Sequence, residues 1–283
     1  MSDSGTPHER LTDTLPGVGH VIAVGAGKGG VGKSTIAVLA AAGLLRAGYK
    51  VALLDGDVYG PSLPKLTGTE DRKPQVGPNG RLLPVEIDGL KLVSMGHLLA
   101  RDQAVIWRGP MAQKYVKEML DATEWGPLDY LFVDLPPGTG DIPLTLAQTI
   151  PLAGFLIVCT PQDVAVMDAV RALQMYRRLG VEPLGIVENM SYYVCPHCGH
   201  RDEIFSHGGA KQAAADLGVP FLGAIPLNVA IRAHGDAGRP FAYFTDAEPA
   251  VIAALNDFIT RLAEQLQVRV RQRTPLPQLK ISG

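Results

Sequence analysis

The amino-acid sequence predicts an α/β fold, a single domain whose mostly parallel sheet is covered by helices on both faces. Three observations lead there. Continuous apolar runs of six or seven residues recur along the 283-residue chain, helix-like stretches lie between most of them, and the first run opens into a glycine-rich loop followed by a helix pattern. A strand that is apolar without alternation is buried on both faces, and strands alternating with helices form parallel sheets. Ligands of such sheets sit at the carboxyl ends of the strands, so the loops after the apolar runs are the places to search.

The expected strands are HVIAVGA (20–26), KVALLD (50–55), DYLFVDL (129–135), GFLIVCT (154–160), LGIVENM (184–190) and FLGAIP (221–226). Helix patterns run from Ser34 to Arg46, Met111 to Leu120, Val164 to Leu179 and Gly209 to Leu217. Residues 74–96 break this rhythm with a Pro-Asn-Gly turn between extended stretches, which reads as a hairpin insertion. Near the end, Leu255, Phe258, Ile259, Leu262 and Leu266 recur at helical spacing and mark a last core-packing helix. The domain is expected over 19–266, between polar and proline-containing tails at 1–18 and 267–283.

Lysine plus arginine number 26 against 28 aspartates and glutamates, so the formal charge of −2 provides no general attraction for nucleic acid. The start of the chain lacks a signal core, and its apolar runs are too short to span a bilayer. A cytoplasmic protein with no nucleic-acid or membrane partner is expected. Three cysteines in so long a chain make no disulfide framework, which leaves a CxxC pair available for metal or redox work.

The loop after the first strand reads GKGGVGKST, residues 27–35, and Gly27, Gly32, Lys33 and Ser34 fit GxxxxGK[ST] in its proper strand–loop–helix setting. The chemistry requires these types. Glycines at Gly27, Gly29, Gly30 and Gly32, with Val31 between, let backbone N–H groups turn toward phosphate oxygens, and the helix N-terminus adds a favourable dipole. Lys33 reaches the β and γ phosphates, Ser34 ligates magnesium, and Thr35 continues the loop into the helix. This makes the chain a P-loop NTPase that binds ATP and Mg²⁺. Asp55 and Asp57 follow the second strand and Asp134 ends a later one. A carboxylate there can hold the hydration shell of magnesium or orient the attacking water. Asp55 and Asp57 share a face if the strand extends that far.

Cys195 and Cys198 stand in YYVCPHCGH, residues 192–200, and the other cysteine, Cys159, ends an apolar strand as a small buried hydrophobe. Three readings compete for the pair: a redox couple, half of a zinc site, or half of an iron–sulfur site. A redox pair opens a helix that lowers the first thiol's pKa, whereas GHRDE follows here. Completing a zinc site with His197 and His200 would crowd four ligands into six residues. Both histidines read as solvated loop residues.

Lys28 gives the loop a second lysine, and KGGVGKS resembles the deviant Walker A motif of the MinD, ParA and nitrogenase iron protein class. That resemblance implies a dimer in which Lys28 reaches the partner's nucleotide, Asp57 positions the hydrolytic water, Asp134 supports magnesium, and PPGTGD (136–141) senses the γ phosphate. More narrowly, DGDVYGPSLPKLTG, WRGPM, LDYLFVDLPPGTGD, TPQDVAVMDAVRAL, GIVENMSYYVCPHCG, IFSHGGA and FLGAIPLNVAIRAHGDAGRP together resemble the Mrp/ApbC family of iron–sulfur cluster carriers. The likeness runs from about residue 19 to 265, apart from the small N-terminal domain that many bacterial members carry. It implies an ATP-hydrolysing homodimer whose two copies of Cys195 and Cys198 converge on the symmetry axis around a [4Fe–4S] cluster destined for apo iron–sulfur proteins. Asn189 resembles the family's adenine-contacting asparagine, and the loop from Pro226 completes the base pocket. The alternative is a MinD- or ParA-like positioning ATPase acting on membrane or DNA. It would need a basic amphipathic tail, yet Arg269, Arg271 and Arg273 alternate ahead of TPLPQ.

Overall fold

Apolar runs become neighbouring strands here because each buries side chains on both faces. The protein, seen in a computed structural model, is described over residues 15–98, 109–195 and 197–273. Outside the described residues lie 1–14 and 274–283 of the expected tails, Trp107 and Arg108 of WRGPM, and Pro196 of the cysteine motif. The strands are β1 (Val18–Ala26), β2 (Val51–Asp55), β3 (Gln75–Val76), β4 (Leu82–Leu83), β5 (Val85–Ile87), β6 (Leu90–Val93), β7 (Leu128–Asp134), β8 (Leu152–Cys159), β9 (Pro183–Glu188), β10 (Tyr193–Val194), β11 (Arg201–Asp202) and β12 (Phe221–Ala224). Eight of them form one sheet in the order β12-β9-β8-β1-β7-β2-β6-β5. Every pairing in it is parallel except β5 with β6.

The helices are α1 (Lys33–Arg46), α2 (Leu63–Thr67), α3 (Gly109–Ala122), α4 (Asp141–Thr149), α5 (Asp163–Arg178), α6 (Gly209–Asp216), α7 (Val229–Asp236) and α8 (Pro249–Arg273). They cover both faces of the sheet. Along β1, Val21 and Ala23 point into the layer shared with α3, α5 and α6, while Ile22 and Val24 point into the layer shared with α1 and α8. This alternation is the strand period of two expressed in a sheet without a wet face. Helix α1 is apolar all round, and Ile36 to Leu44 are buried between the sheet and α8.

Two expectations change. Residues 74–96 are not a separate insertion: β3 and β4 form a small hairpin, but β6 adds to the main sheet parallel to β2 and carries β5 with it. The C-terminal boundary also moves, because α8 continues to Arg273 and Arg269 donates to the Pro183 carbonyl at 3.1 Å while facing Glu182 at 3.6 Å. At the other end, Leu15 is already buried in the core, and β1 starts at Val18, inside the expected tail.

The expected core helix is present, with Leu255, Phe258, Ile259, Leu262 and Leu266 all buried. Phe258→Ala should therefore cost about 3–5 kcal/mol in urea unfolding. A loss below about 1 kcal/mol, the range of ordinary surface substitutions, would place α8 outside the core.

Candidate functional site

The phosphate loop joins β1 to α1 under tight backbone constraints. Gly27 lies against α5 so closely that a Cβ would fall 2.1 Å from the Asp168 carbonyl carbon. Gly32 has φ +82°, and a Cβ there would sit 2.2 Å from Asn189 Nδ2. Only glycine satisfies both demands at Gly32. Gly29 and Gly30 are exposed, Lys28, Ser34 and Thr35 are half-buried, and Val31 is buried. No side chain caps α1, so its first N–H groups face the loop as an anion cradle.

Carboxylates surround the loop lysine. Asp55 and Asp134 are register partners on β2 and β7, so the sheet sets them side by side at its carboxyl edge. Lys33 is itself buried; its Nζ lies 2.6 Å from Asp134 Oδ1, 3.7 Å from Asp57 Oδ2 and 3.4 Å from Ser34 Oγ. Asp55 accepts from Ser94 Oγ at 2.8 Å, from Asp57 N at 3.2 Å and from Leu63 N at 3.3 Å. Burial, and then the charge of Asp134, push its carboxyl up to about 7 against the opposing Ser94 hydroxyl and Lys33. Burial also raises Asp57, with Lys33 pulling it back. Strand β2 stops at Asp55, so Asp57 lies in the following loop and does not share a strand face with it.

Ser34 Oγ and Asp134 fit a divalent cation as a hydroxyl and a carboxylate, and Asp134 Oδ2 is buried without a hydrogen-bond partner. Pro136 to Asp141 pass over the end of β1, where Gly138 N donates to the Ala26 carbonyl at 2.8 Å. A cavity of 970 Å³ opens between this segment, Asp57 and Tyr59. No phosphate-loop glycine lines it, so the functional reading rests on the loop rather than on the cavity.

Asn189 is buried, and its Nδ2 donates to the Val31 carbonyl at 2.9 Å. Here the asparagine braces the phosphate loop. Pro226 is buried in the segment where Ser191 N donates to the Ile225 carbonyl at 2.9 Å.

Cys195 and Cys198 are carried by the connection between β10 and β11. Cys195 N donates to the His200 carbonyl and Gly199 N to the Cys195 carbonyl, both at 2.9 Å, which closes the turn. Cys195 is half-buried, whereas His197, Cys198 and His200 are exposed. Backbone N–H groups of Cys198 and His197, then the Cys198 thiol, hydrogen-bond toward Cys195 and lower its pKa. Cys159 is buried and pushed up to about 12, which removes it from metal chemistry. Among the described residues, no three or more His, Cys, Asp or Glu side chains of one chain are grouped to hold a metal.

A loop built for phosphate, in a chain that also carries a paired-cysteine turn, agrees with the comparison that decides the family. A model described as NUBPL iron-transfer P-loop NTPase matches residues 17–263. The chain belongs to this family. Its NUBPL-family relatives include an iron-sulfur cluster carrier protein of Deinococcus radiodurans, 46% identical over 92% of this chain and 74% of that protein. Another is the iron-sulfur cluster transfer protein NUBPL of Dictyostelium discoideum, 44% identical over 90% of this chain and 79% of that protein. A solved nucleotide-binding protein from Archaeoglobus fulgidus in complex with ADP superposes with TM-score 0.75 and 39% identity, over 84% of this chain and 93% of that one. The MinD cell division ATPase of Pyrococcus furiosus, at TM-score 0.64 and 21% identity over 87% and 99% of the two chains, shares the fold. No helix among the described residues is long and apolar enough to cross a membrane.

Sequence reasoning missed Glu188 in this NUBPL-family chain, although a carboxylate inside the otherwise apolar GIVENM run was the available signal. It also passed over Ser94, whose hydroxyl holds Asp55. In the metal-free protein, alkylation of Cys195 by iodoacetamide should reach half its maximal rate at a lower pH than that of an unperturbed cysteine, with Cys159 unmodified. A Cys195 profile matching free cysteine, read by mass spectrometry, would reject the thiolate-stabilising turn.

Proposed function

We propose that the protein is an ATP-binding and ATP-hydrolysing iron–sulfur cluster carrier that assembles a [4Fe–4S] cluster across a homodimer and transfers it to apo iron–sulfur proteins. The observation that carries this reading is the pair Cys195 and Cys198 on a hairpin turn, with the third cysteine buried. One chain supplies two accessible thiolates, and a two-fold axis supplies four. The names of the relatives support carriage and transfer as the role. The reading places the work in the cytoplasm, without a membrane or nucleic-acid partner.

In this mechanism the N–H groups of residues 29–34 and Lys33 grip the phosphates, and Ser34 and Asp134 would hold the magnesium, which would supply charge neutralisation on the phosphates. Asp57, held by its N–H against Asp55, orients the attacking water. Lys28 reaches the partner's nucleotide, Asn189 and Pro226 border the base, and hydrolysis is slow and coupled to cluster carriage. Lys33 must leave Asp134 to meet phosphate, so nucleotide binding exchanges one ion pair for another. A positioning ATPase shares the fold but leaves the cysteine turn without a use.

Cys195→Ala and Cys198→Ala should each abolish stable cluster binding after anaerobic reconstitution and leave ATP affinity unchanged. Visible absorption and iron per dimer are the readouts, and full cluster retention in the double variant would sink the reading. Mixing inactive Lys28→Ala and Asp57→Ala subunits should partly restore ATPase activity, because each heterodimer assembles one site with its own Asp57 and the partner's Lys28. A mixture as inactive as its parents, with heterodimers shown to form, would confine Lys28 to its own chain.

A further inference from the structure

We infer that Glu188, Ser191, His207 and Arg201 form a directional hydrogen-bond chain that fixes the cysteine hairpin to the end of β9, and that His207 is its positioning residue. Glu188 is fully buried at the last position of β9. Its Oε1 accepts from Ser191 Oγ at 2.6 Å and from Gly208 N at 3.2 Å, and its Oε2 accepts from Ala210 N at 2.9 Å. This carboxylate therefore ties the first turn of α6 to the sheet, where the helix dipole favours a negative charge.

Outward from Glu188, His207 Nδ1 lies 3.0 Å from Ser191 Oγ, and His207 Nε2 lies 3.3 Å from an Arg201 guanidinium nitrogen. One assignment satisfies every atom. Arg201 donates to Nε2, Nδ1–H donates to the Ser191 oxygen, and the Ser191 hydroxyl donates to Glu188. The guanidinium also covers the Tyr192 ring, 3.8 Å from its centroid. Arg201 pairs with Val194 across the hairpin, one residue before Cys195. Strands of two residues each do not hold an orientation alone. The backbone bond from Leu227 N to the Tyr192 carbonyl, at 2.7 Å, holds the β10 side, and the Arg201 head holds the β11 side.

Backbone strain marks the same place. Three described non-glycine residues have positive φ: Asp88 at 48°, Met190 at 54° and Ser206 at 74°. Met190 immediately precedes Ser191, and Ser206 immediately precedes His207. Left-handed backbone at such residues persists where surrounding contacts over-determine it, and this chain is that set of contacts.

His207 is two-thirds covered and not part of the core, so it can be changed without a cavity. In metal-free His207→Leu, hydrogen exchange at the Cys195 and Gly199 amides should accelerate about tenfold, with β1 and α1 unchanged. His207→Gln keeps a planar head with a donor and an acceptor and should recover most of the protection. Loaded His207→Leu should also lose iron to a chelator several-fold faster. This last readout rests on the carrier reading, whereas the exchange readout does not, so loss of the cluster site would leave the first result standing. Unchanged hairpin exchange in His207→Leu, an equal increase throughout the domain, or a Gln variant no better than Leu would each overturn the inference.

Discussion

One buried ammonium set among three carboxylates is the constraint around which the active edge of this protein is organised. Lys33 touches Asp134 and approaches Asp57, while Asp55 stands beside Asp134 in register. Three ionised carboxylates against one lysine would leave excess charge in a region shielded from water, which is costly. The structure meets that cost locally. Asp55 takes hydrogen bonds from the Ser94 hydroxyl and two backbone N–H groups, which favour its charged form, while burial and the neighbouring Asp134 push its carboxyl up to about 7. Asp134 keeps one oxygen without a hydrogen-bond partner. In the proposed cycle, Lys33 would turn from Asp134 toward phosphate, and a divalent cation held by Ser34 and Asp134 would compensate the carboxylate that the lysine leaves.

The loop itself was legible because its requirements are local. Glycine spacing, a lysine and a hydroxyl identify a phosphate cradle before any tertiary contact is known, and the left-handed Gly32 is the same requirement seen in φ. Helix α8 was legible because five apolar residues at helical spacing leave one face to bury. Features fixed by long-range pairing were not legible. Strand β6 has four residues and joins the sheet through β2, so its sequence looked like a hairpin arm. Helix α4 has nine residues and contains Pro143 in its first turn, which disguises its short apolar stripe. Nor does any local pattern show that the amide of Asn189 donates to Val31 O, in a phosphate loop more than a hundred residues away in sequence.

Four consecutive residues connect the two chemical centres. Glu188 and Ser191 belong to the chain that anchors the cysteine hairpin, and Asn189 holds the carbonyl of Val31 within the phosphate loop. Met190 between them is in left-handed backbone. A segment held at both ends and strained in the middle has little freedom to relax one contact without the other. In the proposed cycle, a nucleotide that turned the Val31 peptide would act on the Asn189 amide, two residues before Ser191. The hairpin beyond has two-residue strands and no core of its own, so it follows its anchors. Coupling between phosphate chemistry and thiolate placement then requires no large rearrangement of the sheet. It requires only that the Glu188–Ser191 segment have a different preferred position with the loop empty and with the loop filled, which is the differential contact that a two-state mechanism needs.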